Sequence, residues 1–425
     1  MSAEGQLDAL TKEVYVDQVE DAIDNNFKCQ ELFPFKENKK VGSTYVQPVK
    51  LADEQGFTYL GTDEDIEALN DAVGLITQQA KIKPHQLDLR VQISQRQAHR
   101  AIKEGPAAFV SATEFKVMGG QSSARKRIEL GVLYGQVGLN TIASRTNVDT
   151  TTTTLVVTAS EWAPGMYSGL LGAKVNFWLD STKVGTSGAD AIFTIARVTN
   201  STKTLRITGT TTGISDLDTK VNSNPDEVKM FFQDEKEKGM YGLSAIAQNT
   251  GTLFDISATD YDLWRANNLE FSGQLTAGKL LDAVSESASR GGAVDNPEFV
   301  ALVPSAAWNK LNNSESALRR RTSDSSKAKN GFNAIEYESD AGTLSVMSHN
   351  CVKAGEVLIF DKNQIARIGS TDVKFDDPDL NDGRYWFFLP GYSAYEMVIY
   401  SDQAIICKRP TSLIRAYGFE NTLGS

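Results

Sequence analysis

Apolar residues recur along this chain with two different periods, and the switches between them outline its elements. Over residues 7–27, Leu7, Leu10, Val14, Val16, Val19 and Ile23 fall near helical spacing with acids opposite, which predicts a short amphipathic helix or a docking arm. A turn-rich stretch follows, with Lys39-Lys40, Pro34 and Gly42. TYVQPVKL (44–51) reads as an edge strand or loop arm, because Pro48 lacks the N–H that a central strand needs. Thr62 then stands as an N-cap before TDEDIEALNDAVGLITQQA, with acids in the first turn, and predicts a short helix. Leu87, Leu89, Val91 and Ile93 alternate strictly, as in a half-buried strand. The two strand runs bracket a long excursion and so outline an extended β-arm.

Residues 107–134 predict one long helix with Phe115, Met118, Ile128 and Val132 on its apolar face and Arg125, Lys126 and Arg127 solvated. Gly119-Gly120 weakens it by about 1 kcal/mol per glycine relative to alanine, and Gly135 sits where a C′ glycine would end it.

Five consecutive threonines, Thr150–Thr154, then run into Leu155-Val156-Val157. Residues 146–219 hold 18 threonines and a single proline, Pro164. A mucin-like linker would be richer in proline and poorer in large apolar residues. The runs TTTTLVVTA, AKVNFWLD, AIFTIARVT and KTLRITG, separated by turn residues, instead predict a small β-sandwich or barrel over 148–222. Its threonines are expected on a solvated sheet face or linker.

Farther on, LTAGKLLDAVSESASRGG predicts an amphipathic helix stopped by Gly291-Gly292, and FVALVPSAAWNKLNN a buried strand, a turn at Pro304 and a short helix. The last hundred residues are mostly strands: TLSVMSHN, EVLIFD, QIARIG, RYWFFLP, AYEMVIYSDQAIICKRP and SLIRAYG. Strands scattered around helices, without a βαβ rhythm, indicate an α+β fold.

Composition narrows the function more by exclusion than by indication. The apolar share of 40% and charged share of 23% suit a folded globular chain of two or three domains. No apolar run is long enough for a membrane helix, and the acidic start does not read as a signal peptide. A net charge of -11 does not suit a free-standing nucleic-acid binder, since phosphate neutralisation supplies most non-specific affinity. Cys29, Cys351 and Cys407 form no CxxC pair and read as buried thiols. His85, His99 and His349 have no metal-ligand spacing. His349 and Cys351, two apart on an expected strand, would share a face, but no third partner is visible. Arg319-Arg320-Arg321 reads as a solvated loop, and Asp376, Asp377, Asp379 and Asp382 as an acidic turn without calcium-loop spacing. Neither a phosphate loop nor a nucleophile elbow appears. The expectation is a chain that is not an enzyme, with no catalytic, cofactor-binding or metal residue.

Several segments, in order, resemble the major capsid proteins of tailed bacteriophages, which have the HK97-type fold. SARKRIELGVLYGQVGL (123–139) resembles the end of that family's spine helix, with Glu129, Leu133, Tyr134 and Gly135 carrying the match. LRVQISQRQAHRAI resembles the returning strand of its extended loop, FVALVPSAAWNKL the strand–turn–helix of its axial domain, and EVLIFDKNQIARIG with YEMVIYSDQAIICKRPTSLIRAYGFE its closing peripheral strands.

The resemblance implies an α+β, HK97-like capsid fold in six parts: an N-terminal arm (1–43), an extended loop (44–103), a spine helix with the start of the peripheral domain (104–147), an inserted all-β domain (148–222), an axial domain (223–335), and the rest of that domain with the closing strands (336–425). It implies a major capsid protein that self-assembles through hexamers and pentamers into an icosahedral head shell around double-stranded DNA, bound without sequence specificity. The implied partners are a portal, a separate scaffolding protein and a decoration or cement protein, with no membrane. The place is the virion, after assembly in the host bacterial cytoplasm. An encapsulin-like nanocompartment shell is the alternative, and the insert counts against it.

Overall fold

The computed structural model describes residues 27–37, 44–60, 62, 68–96, 112–185, 188–293, 296–313, 334–375 and 386–420, with the side chains of 112–115 and 334 excepted. The expected helix at 7–27, the Arg319 run and the Asp376–Asp382 turn lie outside them, apart from Phe27 itself. Among the described residues, 86–127 and 373–401 form a smaller compact unit, while 27–85, 128–372 and 402–420 form a larger one.

The larger unit begins with helix α1 (Lys28–Leu32) and strand β1 (Phe35–Glu37). Strand β2 (Tyr45–Ala52) then pairs antiparallel with β3 (Ile76–Ile82), from Tyr45↔Ile82 to Ala52↔Ile76. Pro48 sits within this two-stranded ribbon opposite Gln79, where β2 keeps an open edge and a missing N–H is tolerated. The helix expected from Thr62 is corrected at its end: Ile76–Ala80 are strand, because cross-strand pairing with β2 overrides local propensity. Its start, residues 63–67, lies outside the described residues.

Strand β4 (His85–Ser94) shows the expected alternation, with Leu87, Leu89 and Val91 half-buried and Ile93 buried. Helix α2 (Ala112–Tyr134) follows. Ile128 and Val132 are buried as expected, whereas Met118 is 66% exposed and Lys126 is buried, so the apolar face does not run the helix's full length.

A threonine-rich antiparallel ring comes next, built from β5 (Asn140–Asp149), β6 (Thr152–Val157), β7 (Lys174–Leu179), β9 (Phe193–Thr199), β10 (Thr204–Thr208) and β11 (Val228–Phe232), with the short β8 (Thr182–Lys183) beside β7. The order is β11-β5-β6-β10-β9-β7, and β7 pairs back to β11, so the strands close into a small barrel. Register puts Thr153 opposite Ile207 and Leu155 opposite Leu205. Thr153, Leu155 and Val157 therefore share the inward face with Phe177, Phe193, Ile195 and Ile207, all at most 2% exposed.

The threonine run is thus corrected from a solvated surface or linker. Thr150-Thr151 turn the β5–β6 hairpin, Asp149 Oδ1 accepting from Thr151 N at 2.8 Å, and Thr152 and Thr153 are buried strand residues. Nor is the stretch all-β, since Thr211–Ser223 form helix α3, capped by Thr210 and burying Ile214, Leu217 and Val221. The barrel's outer strands also carry it beyond 148–222 on both sides.

Past the barrel, helix α4 (Leu243–Gln248) and the hairpin β12 (Thr252–Leu253) with β13 (Ile256–Ser257) lead to a mixed six-stranded sheet. Its strands are β14 (Asn267–Glu270), β15 (Glu298–Val303), β16 (Ala334–Ser339), β17 (Gly342–Ser348), β18 (Glu356–Asp361) and β22 (Leu413–Tyr417), in the order β14-β22-β18-β15-β17-β16. Helices α5 (Ala277–Ser289) and α6 (Ser305–Asn312) are the expected ones, α6 starting straight after Pro304. Leu280, Val284, Ala307 and Leu311 pack with Phe299, Val346 and Ile359 in one apolar core. Strand β19 (Ile365–Lys374) takes β1 as a parallel partner, Phe35 opposite Arg367.

In the smaller unit, β4 and β20 (Phe387–Phe388) flank the first half of β21 (Ala394–Cys407). Leu89, Val91 and Val117 pack around Ala124, Met397 and Ile399. A Cβ on Gly120 would lie 2.7 Å from Ile399 Cδ1 and 3.1 Å from Val91 Cγ2, so that glycine admits the strands to the helix.

Candidate functional site

The strongest concentration of buried polar chemistry gathers around Glu129, 1% exposed, in the last turns of α2. Its Oε1 accepts from the backbone N–H of Cys29 at 2.7 Å, and its Oε2 from Gln30 N at 3.2 Å and Gln30 Nε2 at 3.3 Å. One side-chain carboxylate thus ties α1 to the long helix. From the opposite side comes His349, wholly buried in the turn after β17, with Nε2 2.9 Å from Glu129 Oε1. His349 N also donates to Val303 O at 2.8 Å, which fixes that turn to the end of β15.

The histidine tautomer follows from the backbone. Cys351 N, which can only donate, lies 3.0 Å from His349 Nδ1, so Nδ1 is the acceptor and the ring proton sits on Nε2, donating to Glu129. Every group facing the Glu129 oxygens is therefore a donor. The Cys29 thiol is pushed well above its ordinary range, chiefly by burial and next by the Glu129 carboxylate, and it stays protonated.

Cys29, Glu129 and His349 offer one ligand atom each within 4.8 Å, a donor set of the kind zinc takes. Their hydrogen bonds do not suit a metal. A metal on Nε2 would leave the neutral ring proton on Nδ1, head-on against Cys351 N–H. The trio is a hydrogen-bonded junction.

Two further networks adjoin it. Tyr134 OH accepts from Lys353 N at 3.0 Å, and Lys353 Nζ lies 4.7 Å over the Tyr134 ring, 3.2 Å from Gly138 O and 3.4 Å from Glu161 Oε2. Burial foremost, then Glu356, raises the Tyr134 phenol well above its usual value. Glu356 Oε1 accepts from Arg415 Nε at 2.7 Å and Ser244 Oγ at 2.9 Å. Beyond α1, Arg367 Nε donates to Phe33 O at 2.7 Å and its Nη1 to Gln403 Oε1 at 3.0 Å, continuing the tether into β1.

Of the residues singled out in the sequence, Glu129, Leu133 and Tyr134 are buried together at the helix end. His349 and Cys351 do meet, but on a turn rather than a strand, and through the Cys351 backbone. Cys29 gave no signal of its own, because its part is played by a backbone N–H that any residue there would supply.

Residues 232–368, from the end of the barrel into β19, match the family described as SU10 major capsid protein. Among curated proteins no sequence matches the chain. Among solved structures, the chain is similar to the capsid asymmetric unit of cyanophage A-1(L), with a TM-score of 0.56 at 12% identity, covering 97% of this chain and 98% of that one. It is also similar to the capsid of an empty GTA particle, TM-score 0.51 at 8% identity, covering 99% and 98%. The native GTA particle capsid gives 0.50 at 9%, covering 98% of each. Along its length this chain therefore has the HK97-type α+β fold of those capsids, and over residues 232–368, which hold five of the six strands of its mixed sheet, it matches the SU10 major capsid protein family.

Proposed function

We propose that copies of this chain assemble, as hexamers and pentamers, into a closed icosahedral shell around double-stranded DNA. The observation that carries this reading is the segment joining β2 to β3. There Tyr59 is 92% exposed, Leu69 78%, Phe57 73%, Leu60 56% and Val73 54%. Apolar residues collected on one connecting segment mark a surface meant for another protein. In this reading the barrel is an insert between the spine helix and the axial domain. The chain acts by association and not by catalysis. Its partners are a portal, a separate scaffolding protein and a decoration protein, and its place is the virion after assembly in the host cytoplasm. A net charge of -11 suits a wall that encloses DNA without gripping it.

The test is negative-stain microscopy of the expressed full chain beside a Phe57→Asp, Tyr59→Asp, Leu60→Asp variant. Closed particles on the order of tens of nanometres are expected from the first, and soluble unassembled subunits from the second. A parent chain that stays monomeric or dimeric under all assembly conditions overturns the reading. Particles that never contain DNA, even from an infected host, return the choice to an encapsulin-like shell.

A further inference from the structure

Arg197 on β9 and Arg206 on β10 stand directly opposite each other, at the step where the register of that strand pair shifts. Both are exposed, while Ile195, Leu205 and Ile207 beside them point inward, so the two guanidinium groups leave the barrel on its outer side. Like charges directly across an antiparallel pair repel and weaken the sheet. Arg145 is neutralised by Asp218 at 3.0 Å, but neither Arg197 nor Arg206 has an ion-pair partner among the described residues. Strands β6, β9 and β10 contain no aspartate or glutamate, and Lys203, in the turn from β9 to β10, adds a third positive charge. We propose that this face docks the segment joining β2 to β3 of a second copy, with the arginines on that segment's acids. The proposal rests on the shell reading, which brings copies side by side.

The complementary charge lies in the same sequence. Residues 51–80 hold seven acids and no lysine or arginine, in the part of the chain where Phe57, Tyr59 and Leu60 are exposed. Asp53 is paired with Lys50. Glu54 and Asp71 are exposed and have no ion pair among the described residues, which leaves both to a neighbour. The backbones of Gln55 and Val73 bond to each other at 2.9 and 3.1 Å, and so hold Glu54 and Asp71 on one stem.

The barrel face answers both properties of that segment. Thr154 lies opposite Arg206, and Thr199 opposite Thr204, so the arginines are set among hydroxyls that can donate to a carboxylate and methyls that can meet a ring. Leu171, 68% exposed, precedes Gly172, whose N donates to Ile195 O at 2.8 Å, and adds an apolar contact beside β9. Arginine pairs with carboxylates and also stacks on aromatic faces, which suits an occupant that is acidic and aromatic together. A nucleic-acid backbone would answer the arginines alone, with no use for Leu171 or the threonine methyls. Carboxylates placed between Arg197 and Arg206 also remove the repulsion that the free subunit carries.

The experiment is a charge swap in the full-length chain. Subunit association is read by sedimentation velocity and particles by negative-stain microscopy, at about 0.05 M and about 0.5 M salt, which leave exposed charges in play and screen them. Arg197→Glu with Arg206→Glu, and separately Glu54→Lys with Asp71→Lys, are each expected to weaken association at least about tenfold at the lower salt. The chain carrying all four reversals is expected to return to within about threefold of the parent. Arg197→Glu alone sets opposite charges across the strands, so it is expected to raise the urea midpoint while still weakening association. Association untouched by either pair of reversals overturns the proposal, and so does a fourfold variant no better than the weaker pair. A variant Arg197→Glu, Arg206→Glu that associates like the parent but binds double-stranded DNA fragments less tightly assigns the face to phosphate, and overturns it equally. Should a reversal fail to fold, Arg197→Gln with Arg206→Gln and Glu54→Gln with Asp71→Asn replace it: each pair is expected to weaken association, and the two together no more than one, whereas additive losses overturn the contact. A parent that forms no particles overturns the shell reading, and sedimentation then decides the pairing by itself, so the two failures are told apart.

Discussion

Gly135 meets Met240 backbone to backbone: a Cβ on Gly135 would sit 2.2 Å from Met240 O, and Gly242 N donates to Gly135 O at 3.0 Å. The left-handed residue after α2 is Gln136, at φ 65°, so Gly135 is required for close approach and not for helix termination. Gly135→Ala is expected to destabilise the subunit by about 3 kcal/mol, since neither backbone can yield. Urea unfolding of unassembled subunits measures this, and an unchanged midpoint would refute the close-approach account.

The glycine pair in α2 should split in sign. Nothing lies within 4 Å of a Cβ on Gly119, whereas one on Gly120 strikes Ile399 and Val91. Gly119→Ala is expected to stabilise by about 1 kcal/mol through helix propensity, and Gly120→Ala to cost about 1–3 kcal/mol. Thermal melts of the two variants side by side decide it, and the same direction for both would count against the packing described.

In the barrel, the Phe177 and Phe193 rings meet edge to face at 5.2 Å, both fully buried. Phe193→Ala is expected to cost about 3–5 kcal/mol, while Phe193→Leu, which keeps most of the volume, should cost less than half as much. Hydrogen exchange should locate the loss in β7, β9 and β10. Protection lost evenly across the six-stranded sheet as well would mean that the barrel does not open as a unit.

Burial pushes the Cys407 thiol up to about 12 from an ordinary value of 9.0. The unfolded chain releases this proton first, so between those two values it binds fewer protons than the folded chain, and stability falls as pH rises through that window. The contribution is fully present below about pH 9. Cys407→Ala should flatten this part of the stability–pH curve measured by denaturant unfolding, and an identical slope in both proteins would argue against the assignment.

Much of the fold could be read from the sequence, for reasons that differ by element. The alternation of Leu87, Leu89, Val91 and Ile93 survives because that strand has one buried face, and the segment after Pro304 is helical because proline starts a helix as readily as it stops a strand. Three things did not show. The threonine run contains both inward and outward positions, and only cross-strand register tells Thr153 from Thr154. The helix at Thr211–Ser223 was hidden by β-branched neighbours whose propensities are overruled by the apolar stripe of Ile214, Leu217 and Val221. The junction joins residues 100 and 220 positions apart, and half its hydrogen bonds come from backbone groups that leave no mark on residue identity.

The closed ring of strands bears on which parts of this chain can recruit a neighbour through its backbone. Each of the six ring strands has partners on both sides, and β8, two residues long, supplies the module's free edge. Where many copies crowd together, such a module cannot be drafted into a neighbour's sheet, however rich in β-formers its sequence is. The β2–β3 ribbon is the opposite case: among the described residues it joins no third strand, and its outer β3 edge is held by Lys81 N on Phe254 O at 2.9 Å. Strand edges remain on the ribbon and at the ends of the open sheets, and the segment that looks stickiest in the sequence is the one the topology has made inert.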